Sequence, residues 1–131
     1  MLFSIPCFST DFQLVGSWKS VEEKTLASMR ATTGITKEAR ELFEDKFFGK
    51  LSIHYKAKEY RAYIPDETDD LKEFDKYYPY SIIDRSREYI DVRRFDPLLN
   101  SYEKKRLYIE NNCYYVYTTK WQFKEYFCKV E

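Results

Sequence analysis

Residues 14–19 read Leu-Val-Gly-Ser-Trp-Lys and form a short, mainly apolar segment early in the chain. The segment predicts a strand. Ser20 and Glu23, which follow it, have the Ser-x-x-Glu spacing of a capping box, in which each side chain satisfies a backbone N–H at a helix start. A helix is therefore expected over 21–30. The regular part of the chain opens with a strand that leads directly into a helix.

A second helix is expected before the chain changes to strands. Thr36 can cap this helix, its apolar residues between Ala39 and Phe47 recur at steps of three and four, and Gly49 ends it. After Gly49 the apolar period changes to two, which is the period of a strand with one buried face. The inward residues of that strand are Leu51, Ile53 and Tyr55.

The rest of the chain is predicted to form strands joined by short turns. Apolar and polar residues alternate within each segment, as expected for a half-buried strand. The alternation turns Ile82, Ile90 and Val92 inward. The segments span 60–64, 80–84, 87–95, 103–110, 113–119 and 122–130.

Two turns set the register of the last three strands. The pair Asn111-Asn112 tolerates the positive φ angles of a tight hairpin turn, so it aligns Ile109 with Tyr114. A second turn at Lys120-Trp121 returns the last strand. It brings three pairs of residues opposite each other: Tyr114 with Phe127, Val116 with Glu125 and Thr118 with Phe123.

The element order predicts a mainly β fold. Eight sequential strands are the number that closes a barrel around side chains or one small ligand, and closure removes exposed edges. We expect an eight-stranded antiparallel up-and-down barrel with a two-helix insertion between the first and second strands; an open sandwich is the alternative. Residues 11–131 are predicted as this single domain, and residues 1–10 as an N-terminal arm or signal remnant.

Composition argues against several classes of function. The chain has 22 Lys and Arg against 22 Asp and Glu, so no net charge favours nucleic acid. No apolar run approaches the ~18 residues of a spanning helix, so no transmembrane segment is expected. Three glycines and one histidine leave no phosphate-binding loop and no multi-histidine metal site. We predict no cofactor and no metal.

The chain resembles the lipocalin and fatty-acid-binding protein superfamily, the calycins, most closely their short bacterial lipocalin-like members. The resemblance is carried by Gly16-Ser17-Trp18, by the two helices after the first strand, and by the closing segment 124–130. It implies that Trp18 plugs one barrel end with Lys129 across its ring. It departs from the Arg-x-Tyr pattern of fatty-acid binders, since Lys124-x-Tyr126 stands there and is predicted to point outward.

Function is expected in the barrel interior. The resemblance and the inward aromatic side chains imply non-catalytic binding of a small apolar or amphipathic ligand. The same side chains can instead fill the barrel as a plain core, and this alternative stays open. The predicted ligand-binding residues are Tyr55, Tyr60, Tyr80, Tyr114, Phe123, Glu125 and Phe127.

No catalytic residues are predicted. Glu125 lies on the inward face between aromatic residues, where burial raises a carboxyl pKa and can create an acid or base. The interpretation that we favour pairs Glu125 with an interior base, Arg94 or Lys129. His54 falls on a polar strand face and is expected to be an exposed strand residue. The chain is therefore predicted not to be an enzyme.

The cysteines leave two predictions open. Cys113 and Cys128 lie at equal distances from the Lys120-Trp121 turn, so the register sets them opposite each other. Either they form a disulfide or they remain two free thiols. A disulfide favours export to an oxidising compartment such as the periplasm; free thiols favour the cytoplasm.

The alternative function is protein binding. Tyrosine and arginine are enriched at the energetic centres of interfaces, so an inhibitor or immunity-type protein could use an outward aromatic face. The residues of that face are Tyr89, Arg93, Tyr115, Tyr117 and Tyr126.

Overall fold

A closed antiparallel barrel is the core of the fold. The computed structural model describes residues 12–45, 47–65 and 75–130, so the prediction for residues 1–10 lies outside them. Each strand pairs with the next, and β8 pairs with β1, which excludes the open sandwich. The elements are β1 (Gly16–Ser20), α1 (Glu22–Ala31), α2 (Lys37–Glu44), β2 (Ser52–Tyr55), β3 (Glu59–Tyr63), β4 (Tyr78–Arg85), β5 (Tyr89–Asp96), β6 (Ser101–Glu110), β7 (Cys113–Tyr117) and β8 (Lys124–Val130).

The first strand depends on a glycine. Gly16 has φ of +136°, and a Cβ placed on it would stand 2.8 Å from Cε of Lys129. A residue with a side chain would therefore strain the backbone and displace the lysine. Two residues on, Trp18 is 1% exposed, and its indole Nε1 donates to the carbonyl of Leu14 at 2.8 Å.

One of the two predicted helix caps is wrong and the other is confirmed. The capping box is wrong: α1 has no side-chain cap at Val21, and the hydroxyl of Ser20 accepts the backbone N–H of Gly49 at 3.0 Å. The cap of α2 is confirmed, because the side chain of Thr36 accepts the N–H of Ala39 at 3.2 Å. Ser20 thus ties the end of β1 to the return from α2. Within the described residues, no helix is long and apolar enough to cross a membrane.

The predicted register of the last three strands is confirmed. Tyr114 lies opposite Ile109 and Phe127, and Glu125 lies opposite Val116. Asn111 has the positive φ of 57° that the turn requires.

One inward prediction in β4 is wrong. Ile82 lies opposite the buried Val92 but is 41% exposed. The pairing of β4 with β3 is at Tyr78 and Pro79, so Ile82 lies beyond it, and a register shift between Ile82 and Asp84 then interrupts the pairing with β5. Ile90 and Val92 on β5 are fully buried, as predicted.

Two apolar cores form. The barrel core contains Leu14, Trp18, Ile53, Tyr55, Tyr60, Tyr80, Ile90, Val92, Leu107, Tyr114 and Phe127. The second core lies at the helices and contains Leu26, Met29, Ile35, Phe43, Phe48 and Phe123.

Phe123 was predicted in the barrel interior but belongs to the helix core. Its ring centroid lies 5.2 Å from that of Phe43. The residue comes just before β8 and still pairs with Thr118, whose backbone N–H donates to its carbonyl. Its position is at the end of the barrel where the helices pack, so it meets the helix residues instead of the barrel core.

Candidate ligand site at the open end of the barrel

The interior changes character along the barrel. Toward one end the inward residues of β5 and β6 are fully buried and apolar, as Ile90, Val92 and Leu107 show. Further along the same strands the inward positions are charged and only partly buried: Arg94 on β5 and Lys105 on β6. We call the end with the buried apolar residues the closed end. The end where Arg94 and Lys105 are partly exposed is called the open end. The helices leave β1 at the open end, where β5 ends and β8 begins.

Trp18 and Lys129 stand at the closed end. The ammonium Nζ of Lys129 lies 5.2 Å from the centroid of the Trp18 ring, and it donates to the carbonyls of Gln13 and Val15. On its other side Trp18 packs against Tyr114, with 4.9 Å between ring centroids. The chain's own side chains thus occupy this end.

Arg94 is the most distinctive group of the open end. Its Nη1 donates to the hydroxyl of Tyr55 at 2.7 Å, and its guanidinium carbon lies 5.1 Å from the ring centroid of Tyr60. The hydroxyl of Tyr55 in turn lies 3.4 Å from that of Tyr114. Among the described residues, Arg94 has no carboxylate within ion-pair distance.

The protonation states around Arg94 follow from burial. Burial raises the pKa of both Tyr60 and Tyr80 to about 12, and it raises the pKa of Tyr114 as well. Burial alone would lower the pKa of Arg94, but the neighbouring tyrosine oxygens, Tyr55 first, outweigh it and the net shift is upward. At neutral pH the site therefore holds a charged guanidinium near the neutral hydroxyls of Tyr60, Tyr80 and Tyr114.

Two tyrosine hydroxyls of the interior are already bound to backbone. Tyr60 donates to the carbonyl of Phe95 at 2.7 Å, and Tyr80 donates to the carbonyl of Lys56. The hydroxyls of Tyr55 and Tyr114 remain beside the guanidinium. These two hydroxyls and the Arg94 guanidinium form a polar cluster that faces the interior.

Glu125 faces the same interior without a fixed partner. It lies opposite Val116, which packs on the barrel core, and cross-strand partners share a face. Burial raises its pKa, and the charge of Lys105 opposes that shift. In the part of the chain that the structure describes, no hydrogen bond or ion pair holds the carboxylate.

The predicted pairing of Glu125 with Arg94 or Lys129 is therefore wrong. Arg94 is bound to Tyr55, and Lys129 is bound to backbone carbonyls at the closed end. Strand alternation puts both bases on the inward face, and for Lys129 the resemblance implies the same position. Parity gives the face of a residue but not its position along the barrel axis. It therefore could not show that Arg94 and Lys129 lie at opposite ends.

The predicted ligand-binding residues fall into three groups. Tyr55, Tyr60, Tyr80, Tyr114 and Phe127 are buried in the barrel core. Glu125 lines the open end, and Phe123 lies in the helix core.

Sequence reasoning did not name Arg94 as a binding residue. A signal for it was present, because Arg94 is two residues after the inward Val92 and shares its face. Its cross-strand partner Glu103 and the partner of Val92, Lys105, face inward for the same reason. The open end therefore carries charges of both signs.

A disulfide joins Cys113 and Cys128 near the closed end. The two residues are direct cross-strand partners in β7 and β8. Of the two alternatives for these cysteines, the structure has the disulfide rather than the free thiols.

The outward residues that were predicted to form one protein-binding face do not all lie in one exposed patch. One row crosses four strands by register: Tyr89, Tyr108, Tyr115 and Tyr126. Tyr126 in this row is only 8% exposed, because it lies beneath Lys24 of α1. Arg93 stands apart and packs on Tyr102, at 4.2 Å from its ring centroid. Tyr126 and Arg93 are thus not part of one exposed patch.

The single histidine lies on the outer face, as predicted. Nδ1 of His54 and the hydroxyl of Ser17, its partner in β1, share a hydrogen bond of 2.8 Å. Among residues 12–45, 47–65 and 75–130, no three His, Cys, Asp or Glu side chains are grouped so that they could hold a metal ion.

The candidate site is described from the structure of this chain alone. No protein-family model, no curated protein and no solved structure matches the chain.

Proposed function

We propose that the open end of the barrel binds a small amphipathic molecule through an anionic group, without catalysis. The observation that carries this proposal is the inward guanidinium of Arg94, held by the Tyr55 hydroxyl with no carboxylate in ion-pair distance within the described residues. The calycin resemblance supports the same kind of function.

A charge that faces a barrel interior costs free energy unless another charge or hydrogen-bond acceptors compensate for it. One hydroxyl and one ring face compensate Arg94 only in part, and a guanidinium has five N–H donors. A carboxylate, sulfonate or phosphate would accept the remaining donors in the planar geometry that arginine favours. The aromatic rings beside it would contact the apolar part of the ligand.

Two dyes that differ by one charge test the proposal. 1-Anilinonaphthalene-8-sulfonate carries a sulfonate, and N-phenyl-1-naphthylamine has the same aromatic body without it; both fluoresce more strongly in apolar surroundings. We expect the sulfonate to bind the protein more tightly. Arg94→Met should weaken the sulfonate at least about tenfold, as expected for a charge-assisted hydrogen bond, and leave the neutral dye nearly unchanged.

Arg93→Met is the matched control, because Arg93 is the neighbouring arginine and packs outside the barrel on Tyr102. It should leave both dyes unchanged. Circular dichroism of each variant excludes unfolding as the cause. Equal effects of Arg93→Met and Arg94→Met, or no binding of either dye to the parent, would reject the interior site.

A second candidate function is protein binding of the inhibitor or immunity type. The row of Tyr89, Tyr108 and Tyr115 favours it, since rings of adjacent strands touch: the centroids of Tyr108 and Tyr115 are 5.1 Å apart. Tyr117 extends the row and is 41% exposed. Aromatic clusters of this kind are frequent at interface centres.

A pull-down from the source organism tests the tyrosine row. Tyr115→Ala and Tyr117→Ala should abolish capture of a specific partner. Tyr102→Ala removes an exposed tyrosine that contacts Phe95 and Arg93 instead of the row, and it should not affect capture. Capture that is unchanged in the first two variants would reject this surface.

A further inference from the structure

The wall of the open end carries carboxylates as well as cations. Glu125 faces inward from β8, while Arg94 and Lys105 face inward from β5 and β6. A site for a simple anionic amphiphile, such as a fatty acid, needs the cation and an apolar channel. An acidic group facing the same space disfavours such a ligand.

The apolar end offers little to a long alkyl chain. Trp18 and Tyr114 are 1% exposed, and Ile90, Val92 and Leu107 are not exposed at all. The rings there contact each other, with 5.3 Å between the centroids of Tyr114 and Phe127. A ligand of the open end therefore meets mainly polar and charged groups.

Arg94 and Glu125 face the same barrel interior. Arg94 binds the Tyr55 hydroxyl, which lies 3.4 Å from that of Tyr114, and Glu125 faces inward from β8, the strand paired with that of Tyr114. Burial is the main cause of the raised pKa of Tyr114; among the nearby charges, Arg94 lowers that pKa and Glu125 raises it. Yet Arg94 and Glu125 form no ion pair with each other. The two charges thus face one interior without pairing with each other.

We infer that the open end holds a zwitterionic ligand, with a carboxylate or similar anion at Arg94 and an ammonium group beside Glu125. The inference rests on the proposed function, since it adds a second contact to the same site. An ammonium group supplies the charge and the hydrogen-bond donors that Glu125 lacks. The chemical class is a small molecule with an anion at one point and an amine at another, such as an amino acid or its derivative.

Two matched series of ligands test this inference by displacement of 1-anilinonaphthalene-8-sulfonate and by calorimetry. The first series consists of linear carboxylates from butanoate to octanoate, and the second of the ω-amino carboxylates of the same lengths. At one length we expect the amino compound to bind about tenfold or more tightly than its plain counterpart, because it adds a charge-assisted contact. Lengths that cannot reach both groups should show no gain.

Glu125→Gln should remove the preference for the amino compounds and keep the binding of plain carboxylates. Lys105→Met should increase the preference, because it removes the cation that faces the same carboxylate. Glu103→Gln is the matched control, since Glu103 faces inward as the partner of Arg94 and is not assigned to the ligand's amine. Arg94→Met should weaken both series.

The outcomes separate the two proposals. Plain carboxylates that bind through Arg94 with no gain from the amine at any length would overturn the zwitterion and leave the anion site standing. A preference that Glu103→Gln removes and Glu125→Gln keeps would also overturn it. Failure of both series, together with the dye, would reject the site as a whole.

Discussion

Trp18 is the residue on which closure of the barrel most depends. Its ring is almost wholly buried, so Trp18→Ala should cost about 3 to 5 kcal/mol. That is a large share of the ~5 to 15 kcal/mol that stabilises a small domain. Lys129→Met should cost less, because the stem still packs and the lost cation–π attraction is only about 0.5 to 2 kcal/mol.

Urea unfolding followed by circular dichroism gives both free energies without relying on tryptophan fluorescence. The order of the two effects is the prediction. The carbonyls of Gln13 and Val15, which Lys129 now binds, lie where water can replace the lysine. A Lys129→Met variant that is less stable than Trp18→Ala would show that the lysine, and not the ring, closes this end.

Glu125 makes the stability of the unliganded protein depend on pH. Burial raises its pKa in the folded state above the unfolded value of about 4.3. Between these two pKa values the folded state binds more protons, so stability falls as pH rises through that window. Below the unfolded pKa the carboxyl is neutral in both states and has no such cost.

Glu125→Gln should therefore be more stable than the parent at neutral pH and equal to it at pH below about 4. Free energies of unfolding measured across that range check the sign. Glu88→Gln is a suitable control, because Glu88 is exposed on the turn before β5. A gain that is independent of pH would mean that the substitution acts through packing and not through ionisation.

At the scale of elements, turns were the most reliable guide in the sequence. The Asn111-Asn112 turn placed Tyr114 opposite Ile109, and the register of β8 followed from it. Turn chemistry is local, since the residue at the turn must itself adopt the positive φ. Prediction from sequence works best where the cause lies within a few residues.

The elements that were predicted wrongly have causes outside their own residues. Ser20 has the spacing of a cap, but Gly49 takes its hydroxyl, and Gly49 is distant in sequence. The irregularity near Ile82 arises from the pairing of β4 with β5. The charged open end could not be predicted, because alternation shows which face a residue occupies but not how deeply it is buried along the barrel. Arg94 could be assigned to the inward face but not to a depth.

The disulfide ties two elements that are already paired. Cys113 and Cys128 are separated by 15 residues, and a cross-link of that length stabilises a fold by about 3 kcal/mol in the chain-entropy model. In a Cys7→Ser background, Cys113→Ser with Cys128→Ser should lower the free energy of unfolding by about 2 to 4 kcal/mol.

Reduction of the disulfide supplies the control for this prediction. Dithiothreitol should lower the stability of the Cys7→Ser parent to that of the doubly substituted variant and should not change the latter. Unfolding curves of the four samples suffice. A parent whose stability is insensitive to the reductant would mean that the hairpin of β7 and β8 is held by its ladder and side chains alone.

At the scale of the whole molecule, the two ends of the barrel differ in what they contain. The closed end holds the aromatic packing and the disulfide, and the open end holds charges that contribute little to packing. Buried charges without partners lower stability and are more frequent at functional sites. This division is the reason that the open end, rather than the aromatic interior as a whole, is the candidate site.

Closure of the barrel also has a consequence for how the chain folds. The seam between β1 and β8 pairs Trp18 with Lys129, so it joins the first strand of the barrel to the last. The pairing of β5 with β6 is instead local and extends over eight residue pairs. Contacts between distant residues carry a larger loop-closure entropy and tend to form late.

During synthesis the first strand must therefore wait for the last one to emerge, with its edge uncovered in the meantime. Stopped-flow kinetics can detect this order: Ile90→Val in the local hairpin should mainly slow folding, and Trp18→Phe at the seam should mainly speed unfolding. Slower folding from the seam substitution would mean that the ends of the barrel meet early.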